Sequence, residues 1–291
     1  MEISYFPGCT LKTKALNFEK TALALLELLD VKPVELKQWY CCGVSFSLSE
    51  DNLMLQLAPI RTLIKTKEAG SDRLLTLCSM CYNTLKRAQI FLKEDPERVK
   101  KVNDFMYRET TEYYGDEVEV VHILKLMEEV GAEKIKQNIK KKVNLKVAPY
   151  YGCLLLRPKE VAIDNSEQPQ IMEQLLEVAG CEVVDFPFKT ECCCSYQIVD
   201  KRGLVKKRTE KIINSAVKNG AEVIVLSCPL CGYNLDAVQK EIKEENPEFK
   251  TIPVLYFTQL LSLMAGLSPE LNDFSLHYID PKPILEREGL L

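Results

Sequence analysis

The chain has 291 residues, 46% of them hydrophobic, and a formal net charge of −4, which suits two domains of ordinary size and gives no signal for nucleic acid as a partner. Met1-Glu2-Ile3-Ser4-Tyr5-Phe6 lacks the basic-then-apolar start of a signal peptide, and the most apolar stretch, Val254 to Leu267, is broken by Thr258, Gln259 and Ser262 and is too short to span a membrane. The expectation is a cytoplasmic protein without a membrane span.

Ile3-Ser4-Tyr5-Phe6 reads as a strand that ends in Pro7-Gly8-Cys9. A helix from about Phe18 to Leu29 precedes a second strand, Val34-Glu35-Leu36, after which comes Cys41-Cys42-Gly43. Helix resumes from about Asp51 to Ala69 and stops at Gly70. Arg73 to Leu77 is a third strand delivering Cys78-Ser79-Met80-Cys81, with helix predicted from Tyr82 to Leu92. Residues 93–117 are polar and read as partly helical and peripheral. Val118 to His122 is a fourth strand, and Ile123 to Val130 a closing helix that stops at Gly131.

The order then repeats. Val147 to Tyr151 leads into Gly152-Cys153. A helix from about Gln170 to Ala179 stops at Gly180, and Glu182 to Phe186 runs as a strand towards Cys192-Cys193-Cys194. A helix from about Leu204 to Lys218 precedes the strand Glu222 to Leu226, which delivers Cys228-Pro229-Leu230-Cys231. A polar helix runs from Tyr233 to about Glu244. Ile252 to Phe257 and a helix to Ala265 mirror the end of the first half, and the tail after Ser268 is expected to wrap the surface. Alternating strands and helices argue for an α/β fold of two tandem, similar domains, each a small mainly parallel sheet flanked by helices. The expected boundaries are 1–132 and 147–291, with the lysine-rich segment 133–146 as linker. In such sheets sites form at the carboxyl ends of strands, where each cysteine group falls.

There are twelve cysteines and only two histidines, His122 and His277. The cytosol keeps thiols reduced, so metal binding or thiol redox chemistry explains them better than disulfides. Each half offers a set: Cys9, Cys41, Cys42, Cys78 and Cys81, then Cys153, the run Cys192 to Cys194, Cys228 and Cys231. A cubane iron–sulfur cluster or a structural zinc takes about four protein ligands, so five thiolates count against plain zinc. In the second half the register is open. Cys41 precedes Cys78 by 37 residues, while Cys192 and Cys193 precede Cys228 by 36 and 35. Cys192 with Cys193 is the favoured pair, leaving Cys194 where Gly43 stands in the first half; Cys193 with Cys194 is the alternative. Cys181 has no counterpart and reads as a small buried hydrophobe. His122 reads as a packed strand residue whose repeat partner is Tyr256. Lys12 and Lys14 after Cys9, and Arg157 and Lys159 after Cys153, offer either a cationic rim for an anionic substrate or merely solvated helix starts.

Cys9…Cys41-Cys42-Gly43…Cys78-x-x-Cys81, repeated, resembles the cysteine-rich "CCG" domain, and two tandem copies resemble the B subunit of heterodisulfide reductase. The match covers nearly the whole chain, with Cys194 in place of glycine as its departure. The resemblance implies a noncubane [4Fe-4S] cluster in each half, so two in all. It also implies a catalytic role in reducing the coenzyme M–coenzyme B disulfide during methanogenesis. Implied partners are the iron–sulfur (C) and flavin-containing (A) subunits of the same complex, joined to a hydrogenase or formate dehydrogenase. Disulfide reduction needs two electrons and a cluster passes one at a time, so two facing sites within about one disulfide span suit the reaction. The domain also resembles iron–sulfur subunits of glycolate and succinate oxidation systems, although their added ferredoxin-type cysteine runs are absent here. A pure electron relay and a metal-free dithiol oxidoreductase are the remaining alternatives.

Overall fold

A computed structural model describes residues 1–44 and 52–291. Strands β1 (Glu2–Phe6), β2 (Lys32–Glu35), β3 (Arg73–Thr76) and β4 (Glu119–His122) form a parallel sheet in the order β2-β1-β3-β4. Strands β5 (Lys146–Tyr150), β6 (Glu182–Val183), β7 (Val223–Leu226) and β8 (Val254–Tyr256) form a second parallel sheet in the matching order β6-β5-β7-β8. The central strands are buried; Val223, Ile224, Val225 and Leu226 of β7 make the unbroken apolar run of a strand covered on both faces.

The first sheet is flanked by α1 (Gly8–Leu11), α2 (Leu16–Leu28), α3 (Leu53–Glu68), α4 (Ser79–Lys93), α5 (Pro96–Phe105) and α6 (Ile123–Val130). After α7 (Ala132–Asn138), the second half adds α8 (Ile171–Ala179), α9 (Arg202–Lys218), α10 (Pro229–Glu245), α11 (Phe257–Met264) and α12 (Lys282–Arg287). Local chemistry sets several of these ends. The Asn52 side chain accepts the Met54 N–H at 2.9 Å to start α3, Asp95 does the same for Glu97 before α5, and Gly180 ends α8 in the left-handed conformation.

The halves dock reciprocally. The crossover helix α2 packs on the closing helix α11 of the second half, and the crossover helix α8 packs on α6 and α7 of the first. Equivalent surfaces thus meet equivalent surfaces, as in an isologous dimer made within one chain. Thr21 and Thr258 share a hydrogen bond of 2.9 Å in the first contact, and the Phe18 and Tyr256 rings stack 4.3 Å apart. The two cores merge into one apolar cluster.

Element order agrees with the sequence reading, and the differences are local. The strand expected from Glu182 to Phe186 pairs only over Glu182–Val183 before the chain leaves the sheet. The expected start of α3, Asp51, lies outside the described residues. Helices α4 and α10 begin three or four residues earlier than predicted, at Ser79 and Pro229, because the Cys-x-x-Cys segments are themselves their first turns. The segment 133–146 contains most of α7 and buries Ile135 and Leu145. The tail after Ser268 does more than wrap the surface: it buries Asn272, Leu285 and Leu290, and its Tyr278 and Ile279 N–H groups donate to the Asp236 carboxylate at 2.8 and 2.9 Å.

Candidate metal centre

Cys9, Cys78, Cys153 and Cys228 lie two or three residues beyond the ends of β1, β3, β5 and β7, while Cys41 and Cys192 follow β2 and β6 after longer loops. Cys78 and Cys228 are the N-cap residues of α4 and α10, so Cys81 and Cys231 sit one turn on, on the same side of the helix start. The positive end of each helix faces the thiols and favours their ionised form. Gly8 and Gly152, with φ of +70° and +68°, turn the chain into Cys9 and Cys153; a Cβ at Gly8 would meet Cys81 Sγ at 3.0 Å, and one at Gly152 would meet Cys231 Sγ at 3.2 Å. These turns need glycine for both conformation and space.

The thiols lie in close groups. In the first half Cys41 and Cys42, Cys42 and Cys81, and Cys81 and Cys78 lie close enough to shift one another's acidity. In the second half Cys193 Sγ lies 3.2 Å from Cys231 Sγ, and Cys228 with Cys231 and Cys153 with Cys192 lie close enough to shift one another's acidity. The two sets approach each other at Cys78 and Cys228, equivalent residues of the two halves, each close enough to shift the other's acidity. Cys9 and Cys41 are exposed, while Cys42, Cys78, Cys81, Cys193, Cys228 and Cys231 are buried.

Acidity follows these contacts. Cys42 is held well below the usual thiol range, first by Cys41 and then by Cys81. Cys228 is likewise held down by Cys231 and then Cys78. Cys192 is drawn down to about 6, first by Cys153, with the Cys194 N–H and the Arg208 charge adding to it against burial. Their partners Cys41, Cys78, Cys81, Cys153 and Cys231 are correspondingly pushed up. Within each set, lowered and raised thiols thus stand side by side; a bound cation or cluster would hold its ligands as thiolates.

Cys194 has φ +64° and ψ 8°, the left-handed conformation that Gly43 adopts at φ +76°. The turn aims backbone N–H groups at the preceding sulfurs: Cys194 N–H donates to Cys192 Sγ and Ser195 N–H to Cys193 Sγ, both at 3.3 Å. Thr76 Oγ1, Ser79 Oγ, Asn83 Oδ1, Ser195 Oγ and Ser227 Oγ, each within two residues of one of these cysteines, are buried without a hydrogen-bond partner. The four hydroxyls among them can donate to a bound acceptor-rich cofactor, although the Asn83 oxygen, an acceptor, cannot, so the residues present fit an iron–sulfur group. Among the described residues, no group of three or more His, Cys, Asp or Glu side chains is arranged to hold a single metal ion.

The cysteine-rich domain family designated CCG matches residues 3–86 and 147–236. The chain belongs to the CCG family, in two tandem copies. The B subunit of a Methanosarcina acetivorans ferredoxin/F420H2-dependent CoB-CoM heterodisulfide reductase is 34% identical over 92% of this chain and 91% of its own length. The Wolinella succinogenes 8-methylmenaquinol:fumarate reductase membrane anchor subunit is 32% identical over 91% of this chain and 93% of its own. A Helicobacter pylori protein of solved structure, described as hypothetical, shares the fold with a TM-score of 0.74 at 13% identity; this chain spans 51% of its length. Among the described residues, no helix is long and apolar enough to cross a membrane.

A cavity of about 550 Å³ lies between the halves, lined by chain neighbours of Cys9, Cys228 and Cys231 but by none of the cysteines themselves. Thr10 and Lys14 line it from just after Cys9, Leu230 and Lys240 from the helix bearing Cys231, and His277 and Tyr278 from the tail. His277 is pinned there: its Nε2 meets the Asn17 and Gln259 amide nitrogens at 3.2 and 3.0 Å, and its Nδ1 faces Asp236 at 3.6 Å. Of the four cations considered for a rim, only Lys14 lines this cavity. Lys12 is committed to Glu19 and Glu35, and Arg157 to Glu167 and the Thr190 carbonyl.

His122 is the packed residue the sequence suggested. It is fully buried, bonds the Leu77 carbonyl through Nε2 at 3.1 Å, and accepts the Leu124 N–H at Nδ1, with burial lowering its pKa to about 4. Cys181 is buried against Met264, 3.8 Å away, and burial raises its thiol to about 12. Sequence reading missed Asn234, whose amide donates to the Cys193 and Ser195 carbonyls, both at 2.9 Å, and so holds the turn. Its spacing of three from Cys231 on one helix was the available signal. It also missed Arg208, which no local spacing connects to Cys192.

Proposed function

We propose that this chain is the catalytic, cytoplasmic component of a heterodisulfide reductase that reduces the coenzyme M–coenzyme B disulfide to two thiols in methanogen energy metabolism. The carrying observation is that the two sets come close at Cys78 and Cys228, with a cavity nearby that is lined by neighbours of Cys9, Cys228 and Cys231. Cys9, Cys41, Cys42, Cys78 and Cys81 would hold one [4Fe-4S] group, and Cys153, Cys192, Cys193, Cys228 and Cys231 the other. Cys194 serves as the turn residue. Five thiolates per set exceed the usual four and favour a noncubane form. When bound, the two groups supply single electrons, which together match the two electrons and two protons that convert one disulfide into two thiols.

The protein's own part is to seat and enclose the disulfide. The cavity wall formed by α10 and the tail, fastened through Asp236 and His277, limits water. Lys14 and Lys240 orient the acidic ends of the two coenzymes. Electrons arrive from the iron–sulfur and flavin-containing subunits of the complex, in an assembly with a hydrogenase or formate dehydrogenase. The names of the relatives support a multi-subunit redox complex.

A second reading is favoured by the Wolinella relative, which matches over nearly its whole length. In it, the chain is an iron–sulfur electron-transfer component of another CCG oxidoreductase, of glycolate or succinate type. One anaerobic preparation separates the two. Iron and sulfide are counted, then turnover is measured with a reduced viologen against the heterodisulfide and, separately, with a methylmenaquinol as donor. About eight irons per chain and heterodisulfide turnover are expected. Zinc in place of iron, or quinol oxidation without disulfide reduction, rejects the first reading.

A further inference from the structure

Each half contains a buried carboxylate held by a tyrosine and a lysine. Glu19, in the first turn of α2, accepts Tyr5 Oη–H at 3.0 Å and pairs with Lys12 at 2.8 Å; Lys12 also holds Glu35 at 2.7 Å. Glu173, in the first turn of α8, is bonded to Tyr151 Oη and pairs with Lys189 at 2.9 Å; Lys189 also holds Asp185 at 2.9 Å. Both glutamate side chains are only 7% exposed.

The two groups are not simple copies. The glutamates occupy matching places on the crossover helices, and Glu35 and Asp185 matching places ahead of the adjacent cysteines. The lysines do not match: Lys12 follows Cys9, whereas Lys189 precedes Cys192. Nor do the tyrosines, since Tyr5 lies within β1 and Tyr151 beyond the end of β5. The same arrangement is therefore reached with different residues, which points to a demand of the site rather than to inheritance from the duplication.

We propose that each group is a positioning clamp that holds the loop of the first cysteine against the loop of the Cys–Cys pair. In the first half the clamp joins Tyr5 and Lys12, on either side of Cys9, to Glu35, which leads towards Cys41. In the second it joins Tyr151, two residues before Cys153, to Lys189, three before Cys192. The Lys189 carbonyl adds a backbone staple, accepting the Tyr151 and Gly152 N–H groups at 2.9 and 3.2 Å. Each clamp thereby ties together two loops that lie far apart in the sequence. Outer residues of this kind orient metal ligands without touching the metal.

The inference rests on the reading of the cysteines as iron ligands, and its test is built to fail separately. Glu19→Gln and Glu173→Gln are compared with wild type after anaerobic reconstitution. Each is expected to speed chelator-driven iron release from its own half by about 10- to 100-fold and to alter the EPR signal of that half alone. Lys12→Gln, at a more exposed position, gives a smaller change in the first half and covers the case in which Glu19→Gln does not fold. Alkylation mapped by mass spectrometry supplies a readout without iron: Cys153 is expected to react faster in Glu173→Gln. Wild type without iron overturns the ligand reading while alkylation still tests the clamp. Folded variants with unchanged release, EPR signal and alkylation overturn the clamp.

Discussion

Replacing Cys194 by glycine tests the ligand assignment of the second half. At φ +64° this residue sits where a side chain costs about 1–2 kcal/mol relative to the right-handed region. Glycine removes that cost but gains about 0.4–1 kcal/mol of unfolded-state freedom. It also gives up the partial packing of the Cys194 side chain, so Cys194→Gly is expected within about 1 kcal/mol of wild type, a shift of a few degrees or less in Tm. Its iron content is expected to stay at about eight per chain. Cys193→Ala removes a buried sulfur 3.2 Å from Cys231 and is expected to lose about four. Cys192→Ala is expected to behave like Cys193→Ala. The assay is iron and sulfide analysis of anaerobically purified variants, with thermal unfolding as the control for folding. If Cys194→Gly loses half the iron while Cys192→Ala keeps all of it, the pair is Cys193 with Cys194 and the reasoning from the left-handed turn is refuted.

Gly8→Ala places a Cβ 3.0 Å from Cys81 Sγ in a backbone region hostile to side chains, and Gly152→Ala one 3.2 Å from Cys231 Sγ; each is expected to cost about 1–2 kcal/mol and to deplete iron in its own half, Gly8→Ala more severely. Native iron in both variants would show that the close approach is not needed. His122 is neutral when folded, with a pKa of about 4 against 6.5 unfolded, so its contribution is present above pH 6.5 and lost as pH falls to 4. The loss amounts to about 3 kcal/mol. Denaturant unfolding between pH 7.5 and 4 should therefore show a shallower acid decline in His122→Gln, and parallel pH profiles would contradict the assignment. Lys14→Ala and Lys240→Ala are each expected to raise KM for an anionic disulfide about tenfold, equivalent to about 1.4 kcal/mol, with kcat and iron content unchanged; an unaltered KM would remove both lysines from substrate binding.

Much of the architecture was legible in the residues. Apolar runs such as Val223 to Leu226 report burial on both faces, and Gly131 and Gly180 stop helices where the pattern ends. The two cysteine sets could be aligned because the duplication preserved their place after each strand. Helix starts were read late at Ser79 and Pro229 because the cysteine segments carry no helical periodicity of their own.

The chain alone therefore determines two α/β halves, the cysteines that mark each, and the burial of His122 and Cys181. These depend on local pattern and hydrophobicity. Tertiary structure decides the rest. Cys78 comes close to Cys228 because α2 docks on α11 and α8 on α6, a contact between elements far apart in sequence. The fold turns Lys12 inward to Glu19 and leaves Lys14 in the cavity, although the two are near neighbours with the same charge. It also puts Cys194 into a glycine's conformation, which residue spacing alone left open. Side-chain direction and backbone handedness depend on what lies across the chain, and a one-dimensional pattern does not carry that information.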